Sequence, residues 1–189
     1  LSFGDRRIRI DGSQMNRKLD NDAAAHEFAD LRRHLSARLH LVGLDYWASL
    51  ERISDLPMRT GFDPAHIPSL LPHLIFLQVT LEPLDYCYRV IGGTVREHLL
   101  DNYAGRWISE IPHQRPPSRL HANLTRAVTG RAPVISDTPY IGTKKEFLKS
   151  DELILPLVNE SDRVSHLLVL LDFDRRPLQV VGHRSRKRS

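Results

Sequence analysis

The chain opens with about twenty polar residues, and its first regular hydrophobic pattern lies beyond them. From Ala24, apolar residues recur at Phe28, Leu31, Leu35, Leu39 and Val42, at intervals of four, three, four, four and three. That spacing keeps them on one face of a helix of about five turns. Asn21 and Asp22 are capping residues ahead of the helix formers Ala23, Ala24 and Ala25, while Glu27, Asp30, Arg33 and Arg38 hold the opposite face. Gly43 fits the end of this helix. A second, short helix is expected over Leu44, Tyr46, Trp47 and Leu50. Pro57, Pro64, Pro68 and Pro72 forbid one long helix after it, and Asp63-Pro64 marks a short helical start.

After Pro72 the period changes. Leu74 to Leu81 is apolar on both faces, which suits a central strand covered on both sides. Tyr86 to Gly92 is a second strand, joined to the first by a tight link at Leu84-Asp85. Strict alternation puts Tyr86, Tyr88 and Val90 on one of its faces and Cys87, Arg89 and Ile91 on the other. Gly92-Gly93 ends that strand, Thr94 caps a helix with Val95, Leu99 and Leu100, and a longer helix runs from Arg119 to Thr129, ended by Gly130. Three strands follow, at Pro133–Ile141, Phe147–Val158 and Val164–Phe173. Pro156 cannot donate to a ladder, so it marks a bulge or an unpaired edge. Leu167 to Leu171 is apolar throughout and belongs at the centre of the sheet. Asn159 to Asp162 is a hairpin loop. Two strands, a helical crossover and three antiparallel strands define an α+β fold.

Composition narrows the class. The 189 residues are 41% hydrophobic and 26% charged, as in a globular domain, and no apolar run approaches the roughly 20 residues of a membrane span. No secretory leader is visible at Leu1 to Arg7, and the lone Cys87 can form neither an internal disulfide nor a zinc knuckle, so the cytoplasm is the expected compartment. The net charge of +4 belongs to the end of the chain: Arg175, Arg176, Arg184, Arg186, Lys187 and Arg188 are basic with no acidic residue among them. Without these six, 21 basic residues face 23 acidic ones, and a nucleic-acid-binding body would carry its basic stripe on the fold. The chain divides into an arm at 1–20, N-terminal helices at 21–53, a sheet domain at 54–174 and a basic tail at 175–189.

Short motifs carry a resemblance. Tyr46-Trp47-Ala48-Ser49-Leu50, Leu56-Pro57-Met58-Arg59, Phe62-Asp63-Pro64, Leu70-Leu71-Pro72-His73-Leu74, Tyr88-Arg89-Val90-Ile91-Gly92, Tyr103-Ala104-Gly105-Arg106 and Leu155-Pro156-Leu157 follow one another as in a bacterial single-domain PAS subfamily. The resemblance implies a five-stranded antiparallel sheet with flanking helices and an N-terminal helical extension. It further implies a non-enzymatic sensory module that holds a small ligand, meets a protein partner, or both. A ligand-free adaptor and a regulator that binds nucleic acid through the basic tail are the alternatives. PAS domains commonly pair through flanking helices, which implies a homodimer through Phe28, Leu31, Leu35 and Leu39; folding of the same stripe back over its own sheet is the competing arrangement.

The residues call for no cofactor. The Asn-Cys-Arg motif of flavin-binding PAS domains is absent, and Cys87 lies on a strand, where a small core residue is expected. His98 and His121 fall on the helices where haem-binding relatives keep a histidine, with no further haem signature. No His spacing marks a metal site and no Gly-x-Ser-x-Gly elbow marks a catalytic serine, so neither metal ligands nor catalytic residues are assigned. The candidate ligand pocket consists of Tyr88 and Arg89 from the second strand with Tyr103, Trp107 and His121 from the helical side. Arg89, on a covered face, would require a partner: Asp45 or Glu51 of the N-terminal helices, or an acidic group of a ligand.

Overall fold

The computed structural model describes residues 26–175, apart from 27, 36, 140 and 143–146. The expected arm, the capping residues Asn21 and Asp22, and the basic tail beyond Arg175 lie outside the described residues.

The N-terminal stripe is helical but broken. Residues 28–34 (α1) form one helical segment, Leu35 and Ala37 leave the helix, and α2 resumes at Arg38–Ser49. Leu35 is buried in the core of its own chain, and Phe28, Leu31 and Leu39 pack half-buried against that core. Gly43 does not end a helix; it lies inside α2 and is buried there. A Cβ at Gly43 would fall 2.0 Å from Leu170 Cδ1, so glycine allows α2 to sit close on the sheet.

A two-stranded hairpin that the pattern did not announce follows, β1 (Arg52–Ile53) with β2 (Leu56–Pro57). Three short 3-10 turns then reach the main sheet, and Asp63 caps the one at Pro64–His66 by accepting from Ala65 N at 2.9 Å. The sheet holds β3 (Leu74–Leu81), β4 (Leu84–Ile91), β5 (Val134–Pro139), β6 (Phe147–Val158) and β7 (Val164–Arg175) in the order β4-β3-β7-β6-β5. All neighbours run antiparallel, and the most apolar strand, β7, is central. The turn between β3 and β4 is Glu82-Pro83, so Leu84 and Asp85 belong to β4 rather than to the link.

The two faces of the sheet are covered differently. On the outer face α2 sits over β6 and β7: His40 Nε2 meets the Leu170 carbonyl oxygen at 3.2 Å and Trp47 Nε1 donates to the Pro156 carbonyl oxygen at 2.8 Å. On the inner face lie α3 (Gly93–Arg96) and α4 (Arg119–Gly130), the latter burying Leu124, Ala127 and Val128. Gly130 remains helical. The chain leaves the helix one residue later at Arg131, whose left-handed φ of 49° is held by ion pairs to Asp55 at 2.7 Å and Asp162 at 2.8 Å.

A bulge corrects the expected alternation of β4. Leu77 pairs with Tyr88 and Phe76 with Val90, which leaves Arg89 without a partner position in β3. The strand's faces exchange at that point. Ile91 turns inward and is buried, while Val90 joins Phe76 on the outer face and is 49% exposed.

Candidate functional site: a cavity between the sheet and α4

A cavity of about 300 Å³ lies between the inner face of the sheet and α4. Its floor is Ile75 and Leu77 of β3, Tyr88 of β4, and Val169, Leu171 and Phe173 of β7; α3 and the residues after it add Val95, His98 and Leu99, and α4 adds Leu120 and Leu124. These side chains share a face because every second strand residue does. Register places Ile75 beside Val169, and Leu171 beside Glu152 of β6, so one layer of the wall crosses three strands.

The polar groups of the wall sit in two clusters. In the first, the buried Tyr88 hydroxyl donates to Gln114 Oε1 at 2.9 Å. The Ser118 hydroxyl donates to the Gln114 carbonyl oxygen and accepts from His121 N at 3.0 Å, which caps α4. Such a cap contributes about 1 kcal/mol to the helix. These bonds tie β4 to the start of α4. Burial pushes the Tyr88 phenol well above its usual range, so it stays a neutral donor.

The second cluster surrounds Glu152, which is 2% exposed. Its Oε2 accepts from Ser136 Oγ at 2.8 Å and from Asn123 Nδ2 at 3.4 Å. Burial holds this carboxyl above the ordinary carboxylate range, against the hydroxyls of Thr138 and Ser136 and the amide of Asn123, which favour ionisation. Nearby, His98 Nδ1 meets the Thr94 carbonyl oxygen at 2.7 Å, and its ring stacks on Phe173.

Of the five residues expected at a pocket, Tyr88 lines the cavity. Tyr103 is buried behind it, ring centroids 6.0 Å apart, with its hydroxyl 3.4 Å from His113 Nε2. Trp107 forms a backbone bridge to Cys87 at the outer edge of β4. His121 lies on α4 but packs edge-on against Tyr86 at 5.4 Å and reaches Thr125 Oγ1 at 3.4 Å. Arg89 is corrected outright. It is exposed on the outer face and donates to Gln78 Oε1 at 2.7 Å, while Asp45, its expected partner, pairs with Arg32. Glu51 is also exposed.

Sequence reasoning missed Glu152, Gln114, Ser118 and Asn123. Ser118 was legible as a cap one residue before the predicted helix. Glu152 carried a fainter signal, as the acid that follows Asp151 and therefore must face the opposite side of the strand. Among the described residues no group of three His, Cys, Asp or Glu gathers as a metal site would, and no helix is long and apolar enough to cross a membrane.

An antiparallel five-stranded sheet with helices enclosing a cavity on its inner face is the arrangement of a PAS fold. A PAS domain family model matches residues 34–172, most of the chain, and the protein belongs to that family. No curated protein matches it. A sensory box sensor histidine kinase from Vibrio cholerae, known from its crystal structure, is similar over 59% of this chain and 92% of that one, at 14% identity and a TM-score of 0.43.

Proposed function

We propose that the protein is a non-enzymatic sensory module that binds a small molecule in the cavity between the sheet and α4 and passes its occupancy to a protein partner. The observation that carries this reading is the cavity itself, about 300 Å³ lined by residues of five-stranded sheet and helix alike. Well-packed cores contain few voids much larger than a water molecule. A space of this size, with apolar walls and a few directed polar groups, suits a small ligand.

The route outward runs through β7. Val169 and Leu171 face the cavity, and Leu170 between them faces Gly43 of α2. His40 bonds the same Leu170 carbonyl oxygen. A ligand that shifts β7 therefore moves the support of α2, and the half-buried Phe28, Leu31 and Leu39 beside it form the surface for a partner, which in this proposal includes a second copy of the chain.

The test is a titration with phenethyl alcohol, a neutral probe of suitable size, followed by backbone amide NMR shifts. The shifts should centre on Leu77, Leu124 and Val169 and vanish in Leu120→Phe, which fills the cavity from α4. Shifts that map elsewhere, or that survive the substitution, would refute the ligand site.

A further inference from the structure

The cavity wall is apolar over most of its area and includes one buried carboxyl, Glu152, and this asymmetry selects among ligands. The step rests on the cavity being the ligand site. Most polar groups of the wall already have partners within it: Tyr88 donates to Gln114, and Ser118 caps α4. Arg119 also lines the cavity, but its guanidinium pairs with Asp137. Lys149, near Glu152 in sequence, pairs with Asp151 at 2.8 Å and with Asp137 at 3.8 Å.

Glu152 is different. It is an acid, it is 2% exposed, and it lines the cavity. Its hydrogen-bonding neighbours, the Ser136 and Thr138 hydroxyls and the Asn123 amide, are neutral, and Ser136 and Asn123 both bind the same oxygen, Oε2. Among the described residues no cation pairs with it. A buried carboxyl among apolar side chains strongly favours a cationic neighbour that also donates a hydrogen bond, and disfavours an anion. Burial holds the Glu152 carboxyl above the ordinary range, and the Arg119 guanidinium, itself paired with Asp137, opposes this less than the neutral hydrogen bonds do.

We propose that the cavity binds a small, mostly apolar organic amine, with its ammonium group on Glu152 and its hydrocarbon part between Leu77, Val169 and Leu124. The volume, about 300 Å³, is that of about ten water molecules at roughly 30 Å³ each, which suits a ligand the size of phenethylamine. The apolar part gains by leaving water, and the ammonium supplies the directly bonded cation that none of the described residues gives Glu152.

The experiment compares three probes of nearly equal shape near neutral pH: phenethylamine, phenethyl alcohol and hydrocinnamate, which are cationic, neutral and anionic. Binding to the full chain is read from amide NMR shifts of cavity residues. Phenethylamine should bind at least about tenfold more tightly than phenethyl alcohol, as a charge-assisted hydrogen bond in a buried site provides, and hydrocinnamate should be weakest. In Glu152→Gln the amine's advantage over the alcohol, both measured on that variant, should fall below about threefold. Equal binding of amine and alcohol, preference for the acid, or an amine preference that survives Glu152→Gln would overturn the proposal. In each of those cases, alcohol shifts that still map to the cavity leave the sensory reading standing. If none of the three probes perturbs the cavity, both fail. Should Glu152→Gln not fold, the series on the unsubstituted chain decides alone.

Discussion

The indole N–H of Trp47 donates to the carbonyl oxygen of Pro156 at 2.8 Å. The carbonyl and the N–H of a strand residue point to the same edge, so the edge on which Pro156 lacks a donor is the one turned to Trp47. β5 stops pairing with β6 at Ile154, two residues earlier, and the proline therefore sits where β6 has no β5 neighbour. One bond thus accommodates the proline and fastens α2 to the outer face of the sheet. Trp47→Phe removes the donor, leaves the carbonyl buried, and shrinks a side chain that is 4% exposed. A loss of about 1.5–3 kcal/mol is expected in urea denaturation. An unchanged midpoint would contradict this role.

Gly92 and Gly93 are adjacent and should respond in opposite ways. A Cβ on Gly92 would lie 2.1 Å from the Leu71 carbonyl oxygen and 2.4 Å from that of Pro72, backbone atoms that cannot swing aside. Nothing lies within 4 Å of a Cβ on Gly93, which opens α3. Gly92→Ala should cost about 2–4 kcal/mol and Gly93→Ala should stay within about 0.5 kcal/mol, both read from thermal unfolding. Equal effects would refute the close approach.

The parts of the fold that were legible in the sequence are those with an unambiguous period. β3, residues 153–158 of β6 and residues 167–171 of β7 stand out because both of their faces are apolar, and α4 because Leu120, Leu124, Ala127 and Val128 recur at helical spacing. The parts that were not legible depend on contacts between distant residues. Leu35 continues the stripe whether or not the helix breaks there. Gly43 resembles a helix end until Leu170 is seen against it. The bulge at Arg89 is set by pairing with β3, and it reverses which of Val90 and Ile91 faces inward. The site was less legible than the fold: Tyr88 was found from strand alternation, whereas Glu152 needed the inward register of β6.

Acid should destabilise the protein partly through His166. Its ring stacks on Phe76 at 5.0 Å, and burial, with Arg59 and Arg89 nearby, holds its pKa down to about 4. The folded imidazole is neutral where the unfolded one, with a pKa of about 6.5, takes up a proton. Its contribution is therefore complete above about pH 6.5 and is lost as pH falls toward the folded value. His40, depressed mainly by burial, acts in the same direction, while Glu152, raised by burial, loses its contribution as pH rises. His166→Phe should reduce the fall in the urea midpoint between neutral pH and about pH 5. An undiminished fall would contradict the assignment.

Pairing of two chains is tested by charge. Leu31→Glu should yield a folded monomer in native mass spectrometry, whereas Leu35→Glu should unfold, because Leu35 is buried in its own chain. An unsubstituted protein that is monomeric on the order of tens of micromolar would exclude the pairing.

The central claim is that the inner face of the sheet encloses an open, ligand-sized cavity, and a crystal pressurised with xenon tests it most directly, since dry apolar cavities take up xenon. The account predicts xenon density bounded by Leu77, Leu124, Val169 and Leu171. Side chains closed over that space, with no xenon among them, would contradict it.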